Sequence, residues 1–576
     1  MTSNISRFSP FVATRRSFVV QAGTAIVAGL KGLSASEQQA RSPKSSSYLD
    51  VLRKPDAVFA YSELDHASPL VRTGSDWRGK SVEVETAEAQ HELSIQVACP
   101  DSRLSHLHLR WRAEVSPTLL CLGDSWERSY GDLGWRGIVP HQVMPWYFLT
   151  FDGEYIHGYG LKTGAGSLGF WQVDPEGVSL WLNLCNGGSG VLLGERRLAA
   201  ATIVARKGER HEEPVLAARE FCGRMCPNPR PFRGPFYGSN DWYYAYGNSS
   251  PEQILHDADL VASLRPSRAA RPFTVIDEGW ENKSRFTDMP GLAEEIRKRG
   301  VRPGIWLRLL EAPNTASSSL LLPGARFGKR SDRASEFAYD PTIPEAREEI
   351  SKRIREIVSW KFELLKHDYS TYDLLGQFGF EMGASPTLPG WSFYDQTRTN
   401  AEIIVDLYRV IRSTVGDEVI VLGCTTVGHL GAGIFDLQRI GDDTSGEHWE
   451  RTRRMGVNSL AYRLPQHRNF FAVDPDCVPV TLAIPWENTR QWLELVAGSG
   501  TALFISAAQS AVGSEQKRAL SHAFALAASN ESAVQPIDWF HNTTPENWRF
   551  QSDSQSMQGK VRFKWCSLDG AYPFQI

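Results

Sequence analysis

Residues 361–370 read KFELLKHDYS, and the change of character within this decapeptide decides how the rest of the chain is read. Phe362, Leu364 and Leu365 form a short apolar run of buried-strand type, which gives way at once to Lys366, His367, Asp368 and Tyr369. A strand that turns charged at its C-terminal end presents chemistry. Side chains alternate along a strand, so Lys366 and Asp368 are expected on one face and His367 on the other. An ammonium beside a carboxylate favours the ionised form, which suits a carboxylate nucleophile at neutral pH. Taken alone, the stretch fits a structural ion pair at a strand end more simply than an active site.

Its surroundings repeat the pattern. After the Pro-rich junction Asn228-Pro229-Arg230-Pro231, apolar strand segments alternate with helical ones, as in a β/α barrel or a doubly wound sheet. The strand candidates are PFYGSND, PFTVIDEG, RPGIWLRL, FELLKHDYS, EVIVLGC, FDLQRIGDD, NFFAVDPDC and TALFISA, eight in all, and eight favours a closed barrel. Helices are expected to begin near Pro251, Pro290, Pro344, Asn400 and Glu487, the first with a capping box of Ser250 and Gln253. Polar residues collect at the C-terminal ends of the strands, the working face of such barrels: Asp241-Trp242-Tyr243, Asp277-Glu278, Arg308, Lys366, Asp368, Cys424, Arg439 to Asp443, Asp474 and Asp476. The connections from Leu310 to Pro344 and from Tyr369 to about Thr397 are long enough to be lids or substrate walls.

Before the barrel, residues 48–230 read as short alternating segments broken by Gly, Pro, Asp and Asn, the pattern of a β-sandwich. No catalytic motif stands out in it; Trp126, Trp135 and Trp146 could reach a neighbouring domain's pocket, with core packing the simpler role. At the N-terminus, TRRSF at 14–18 followed by the mildly apolar run Val19 to Leu30 resembles a twin-arginine export signal. That run is too short to span a membrane. The expected organisation is therefore signal and linker 1–47, β-sandwich 48–230, (β/α)8 TIM barrel 231–530, and a small C-terminal β region 531–576.

The composition of the 576 residues, with a net charge of -4, gives no sign of nucleic-acid binding. Eighteen Trp and seventeen Tyr suit stacking on ligands as well as core packing. Eight Cys without CxxC pairs or His partners argue against a structural metal, and disulfide pairing is not deducible from them.

The ordered series YGSNDWYYAYG, VIDEGWE, RPGIWLR, FAYDPTIPEAR, LLKHDYS, VLGC, RIGDDTS and VDPDC, over roughly 235–506, resembles the catalytic barrel of glycoside hydrolase family 36 and its α-galactosidase clan. The resemblance implies Asp368 as nucleophile and Asp443, the last position of the RIGxD pattern, as acid/base. Trp242, Tyr243, Asp277, Glu278, Trp306, Lys366, Cys424 and Arg439 would line the sugar subsite. It further implies a retaining α-glycosidase, best an α-galactosidase, with no cofactor or metal and with an oligosaccharide or glycoconjugate bearing a terminal α-linked sugar as partner. For the acid role, a neighbouring anionic Asp368 or Asp442 would raise the pKa of Asp443, with Arg439 opposing.

The chain departs from the family at Glu278, where relatives carry a second aspartate. A side chain longer by about 1.5 Å shifts a hydrogen bond or contracts the pocket, which keeps α-N-acetylgalactosaminidase open. A galactosyl transglycosylase and a carbohydrate-binding pseudoenzyme are the other readings. Glu447 is the rival proton donor, Asp474 and Asp476 read as turn and helix-capping residues, and Asp340 before Pro341 reads as a helix-entry residue. His367 reads as a histidine with its hydrogen bonds satisfied.

Overall fold

Alternation at period two builds the first half of the protein. Along Glu92–Cys99, residues Leu93, Ile95, Val97 and Cys99 are all buried, while the residues between them face outward. Such strands assemble two antiparallel sheets, one of six strands and one of eight, over Ala57–Arg206. Their facing sides enclose an apolar core that includes Trp111, Phe148, Tyr159 and Trp171. The computed structural model of the protein describes residues 47–64, 66–329, 336–530, 533–551 and 559–571, so the expected export signal lies outside the described residues.

From Tyr237 the strands run parallel. They are β1 (Tyr237–Asn240), β2 (Phe273–Ile276), β3 (Arg302–Arg308), β4 (Leu364–Asp368), β5 (Ile420–Gly423), β6 (Leu437–Arg439), β7 (Ala472–Asp474), β8 (Val478–Val480) and β9 (Leu503–Ala507). β1 to β7 pair in succession, β9 pairs with β1, and β8 pairs with β9. The seventh position of the circle is thus broken: β7 holds to β6, and after a bend at Asp476 (φ +76°) β8 holds to β9. Ala502 N donates to Val473 O at 3.0 Å and joins the two ends. All eight expected strand positions are present, and the β/α barrel is the fold.

Helix starts follow their local chemistry. The Ser250–Gln253 capping box opens Pro251–Leu264, and a second box, Thr399 with Glu402, opens Asn400–Val415. Between β5 and β6 the only helix is the single turn Gly428–Gly431. The barrel wall there is covered instead by the sandwich, with the Trp146 ring stacked on His429 at 4.7 Å. Trp126, Trp135 and Trp146 are buried in a hydrophobic cluster shared with barrel residues. The last barrel helix, Ser514–Ser529, leads to a three-stranded antiparallel sheet, Ala533–Pro536, Asn547–Gln551 and Gly559–Arg562. All eight cysteines are free thiols, and no described helix is long and apolar enough to cross a membrane.

Candidate active site at the mouth of the barrel

Asp368 closes β4, and the chain leaves the barrel at the next residue. Tyr369 adopts a left-handed conformation (φ +63°), which turns its N–H back onto Asp368 Oδ1 at 2.7 Å. The same oxygen accepts from Thr425 N at 2.9 Å, and Trp306 Nε1 donates to Oδ2 at 3.0 Å. Burial opposes ionisation of this carboxyl. The Lys366 and Arg128 cations and these donors overcome it, and hold its pKa far below the usual carboxylate range. Trp306 is fixed in turn through its carbonyl, which accepts from Trp280 Nε1 at 2.8 Å.

Lys366 acts on Asp368 through its field, because its hydrogen bond goes elsewhere. Nζ lies 2.6 Å from Asp277 Oδ2, so the ion pair expected within the decapeptide is replaced by one between β4 and β2. Asp277 also accepts from Asn240 Nδ2 at 2.6 Å, and its backbone N donates to Asp241 Oδ1 at 2.7 Å. Glu278 is exposed at the rim. Partial burial and the nearby Asp277, Glu281 and Asp368 push its pKa up to about 7.

Asp443 follows β6 by four residues, and Arg439 at the end of that strand donates to its Oδ1 at 2.7 Å. Gly441 permits the intervening turn: a Cβ there would come within 2.6 Å of Met455 O and 2.5 Å of Ser459 Oγ. The expectation that Asp443 is held protonated by neighbouring anions does not survive. Burial and Asp368 push its pKa up, but Arg439 and Arg128 outweigh them and hold it below the usual value. The reason is distance: two guanidinium groups reach the carboxylate directly.

Arg128 comes from the β-sandwich half of the chain. Its side chain is 7% exposed, and its two terminal nitrogens lie 3.1 Å from Asp443 Oδ1 and 3.1 Å from Asp442 Oδ1. Ser129 N donates to Ile440 O at 2.9 Å, and Asp442 N donates to Ser129 O at 2.8 Å, which joins segment 128–130 edgewise to the chain carrying Asp443. The signal available in sequence was DSWERSYGD at 124–132, a charged and aromatic stretch that interrupts the strand pattern.

Asp476 is likewise more than a turn residue. It holds Arg439 at 2.9 Å, accepts from Thr444 N at 2.8 Å and from the Tyr243 hydroxyl, and so braces the arginine from below. Tyr243 is therefore buried beneath the mouth, while Trp242 is half-buried beside Tyr246. Cys424 is buried with its Sγ 3.9 Å from Arg439, and burial keeps the thiol protonated.

Other expectations change. His367 points behind the sheet toward Tyr408 and Phe435, and neither ring nitrogen has a hydrogen-bond partner. Burial lowers its pKa to about 4, so the ring is neutral rather than satisfied. Asp340 does stand at a helix entry, where Ile343 N donates to its carbonyl at 3.1 Å just before Pro344–Ser359, and its side chain also accepts from Thr342 N and from Tyr394 N, tying the two long loops together. Glu447 has a side chain 61% exposed, with His448 3.9 Å away.

With this geometry in hand, solved structures give the architecture a precedent. The α-galactosidase from Thermus thermophilus, solved with p-nitrophenyl α-D-galactopyranoside, aligns over 85% of this chain and 99% of its own, with TM-score 0.57 and 17% identity. The fold is that of the family 36 α-galactosidases. The Geobacillus stearothermophilus enzyme with stachyose aligns over 82% of this chain and 71% of its own (TM-score 0.51, 12% identity). That from Lactobacillus brevis aligns over 86% and 77% (TM-score 0.51, 11% identity). No protein-family model matches the sequence.

Proposed function

We propose that the protein is a retaining α-glycosidase, best an α-galactosidase, working through Asp368 and Asp443. One observation carries the reading: two carboxylates held in different ways stand at the barrel mouth, near enough for the charge of Asp368 to act on Asp443. Asp368 is collared by three donors, with both oxygens engaged and the charge fixed. Asp443 is held by two arginines through one oxygen, and its side chain is 40% exposed. The first arrangement suits a nucleophile and the second a group that exchanges a proton with a departing oxygen.

In this reading Asp368 attacks the anomeric carbon as Asp443 protonates the leaving oxygen. Water deprotonated by Asp443 then releases the sugar from the glycosyl ester. The two arginines favour the ionised form of Asp443, so its proton is taken up with the substrate, and kcat/KM should fall as pH rises above the acidic range. The structures similar in fold were solved with p-nitrophenyl α-D-galactopyranoside and with stachyose, which supports an α-galactoside as substrate. Glu278 bears on which sugar is preferred, and an N-acetylgalactosaminide belongs in the same test. Export through Arg15 and Arg16 is part of the proposal, checked by the N-terminus of the protein recovered outside the cytoplasm.

A panel of aryl α- and β-glycosides tests sugar and anomer together. Asp368→Ala should abolish cleavage of the preferred α-glycoside, with azide yielding a β-glycosyl azide. Undiminished activity of this variant would end the assignment. Sugar binding without turnover of any activated glycoside would favour a carbohydrate-binding pseudoenzyme, and transfer exceeding hydrolysis at high acceptor would favour a transglycosylase.

A further inference from the structure

Asp443 is gripped asymmetrically. Arg439 reaches Oδ1 at 2.7 Å and Arg128 reaches the same oxygen at 3.1 Å, while no described residue donates to Oδ2. Arg439 lies four residues away on the same segment, so alone it fixes the carboxylate's position more firmly than its rotation. Arg128 approaches from the β-sandwich half of the chain and supplies the second direction.

We propose that Arg128 is a positioning residue of this reaction, carried on the segment between two sandwich strands to clamp Asp443 through Oδ1 and to leave Oδ2 as the oxygen that delivers and recovers the proton. The inference rests on the reading of Asp443 as acid/base.

Three features separate this role from that of a structural strap. Asp442, the other partner of Arg128, already has a cation of its own, with Arg451 at 2.6 Å, so Arg128 is not needed to neutralise it. Segment 128–130 is attached independently of the guanidinium, through the Ser129 backbone and through Arg463, which donates to Glu127 O and to Ile440 O. Arg128 Nε is buried with no hydrogen-bond partner among the described residues, a cost that is tolerated where the side chain keeps its grip on Asp443.

The groups facing Asp443 come from several elements. Arg439 of β6, Arg128 of the sandwich segment and Lys366 of β4 favour its charge, and Asp368 of β4 opposes it. Asp476 lies across Arg439, and Asp442 across Arg128. The Tyr243, Tyr246 and Tyr369 phenols are neutral neighbours whose own pKa values are raised. Losing Arg128 removes one of the favourable charges in direct contact and one of the two restraints on rotation.

The test compares Arg128→Met and Arg128→Lys with the parent, using kcat/KM against pH on p-nitrophenyl and phenyl α-galactosides. In Arg128→Met the alkaline limb should move up by about one pH unit, the size expected for an opposite charge in contact. Arg128→Lys should restore part of that shift. Loss of alignment should cost about tenfold on the phenyl substrate, whose poor leaving group needs the proton, and only about twofold on the p-nitrophenyl one. An unmoved limb, or equal losses on both substrates, would overturn the role and leave a structural strap. If Arg128→Met does not fold, the Arg128→Lys profile decides by the same criteria. A parent inactive on every α-glycoside would overturn the reading beneath this inference, whereas an active parent with an unmoved limb in the variants overturns only the role of Arg128.

Discussion

Replacing Lys366 by Met removes the cation from an ion pair that is nearly dry. Its Nζ lies 2.6 Å from Asp277 Oδ2, with side-chain exposures of 11% and 4%, and Asn240 Nδ2 is the other donor to that oxygen. Removing one partner of a buried pair leaves an uncompensated charge and costs about 3–5 kcal/mol. Asn240 offsets part of this, which points to the lower end, about 3 kcal/mol. Unfolding entropy of about 2.1 cal/mol/K per residue, over roughly 500 folded residues, is about 1 kcal/mol/K. The melting temperature should therefore drop by about 3 °C. Adding Asp277→Asn should recover most of the loss, because neither charge remains.

The same substitution acts on Asp368, the proposed nucleophile. Lys366 is the leading cation that lowers the pKa of Asp368 against its burial, so Lys366→Met should raise it. A depressed carboxyl contributes stability above its unfolded pKa and loses it as pH falls through the folded one. The substitution narrows that window and moves the acid limb of kcat/KM upward. Calorimetry at pH 7 on the parent, the single and the double variant, together with the pH profile, checks both parts. A single variant melting with the parent, or a double variant no better than the single, would refute the claim that the pair is dry and coupled.

Glu278→Gln should flatten the pH dependence of KM near neutrality: the parent's acid titrates at about 7, and its carboxylate form accepts hydroxyl donors better, so parental KM should fall several-fold through that range. Steady-state kinetics between pH 6 and 8 reads this directly. Asp476→Asn takes the brace from Arg439 and should lower kcat by about tenfold or more with little change in fold, as seen by circular dichroism. His367→Leu should stabilise the protein, because the ring is fully buried without a partner. Its folded pKa of about 4 lies below the unfolded value of about 6.5, so the parent loses stability as pH falls between the two. The gain in melting temperature should therefore be larger at pH 5 than at pH 7.

The site was legible where its chemistry is written locally. Asp368 ends β4 and Asp443 follows β6 by four residues, and a strand's burial and period are properties of adjacent residues. The Ser250–Gln253 box could be read for the same reason, since both partners lie within one turn. The partners of those carboxylates were a different matter. Lys366 stands two residues from Asp368 and yet bonds Asp277, because the parallel pairing of β2, β3 and β4 brings another carboxylate closer. His367 has no hydrogen-bond partner because its face of the strand meets Tyr408 and Phe435, which come from two later segments.

Periodicity and capping act within a few residues, so the eight barrel positions, several helix starts and the acids at the barrel mouth could be read locally, whereas the split of the seventh position into β7 and β8 could not. Which form of each acid is favoured depends on contacts that only folding brings together. Arg128 and Asp443 are 315 positions apart and meet because a sandwich loop pairs with the turn after β6. A pKa is set by the field of every group within a few ångströms, and the chain alone does not say which groups those are.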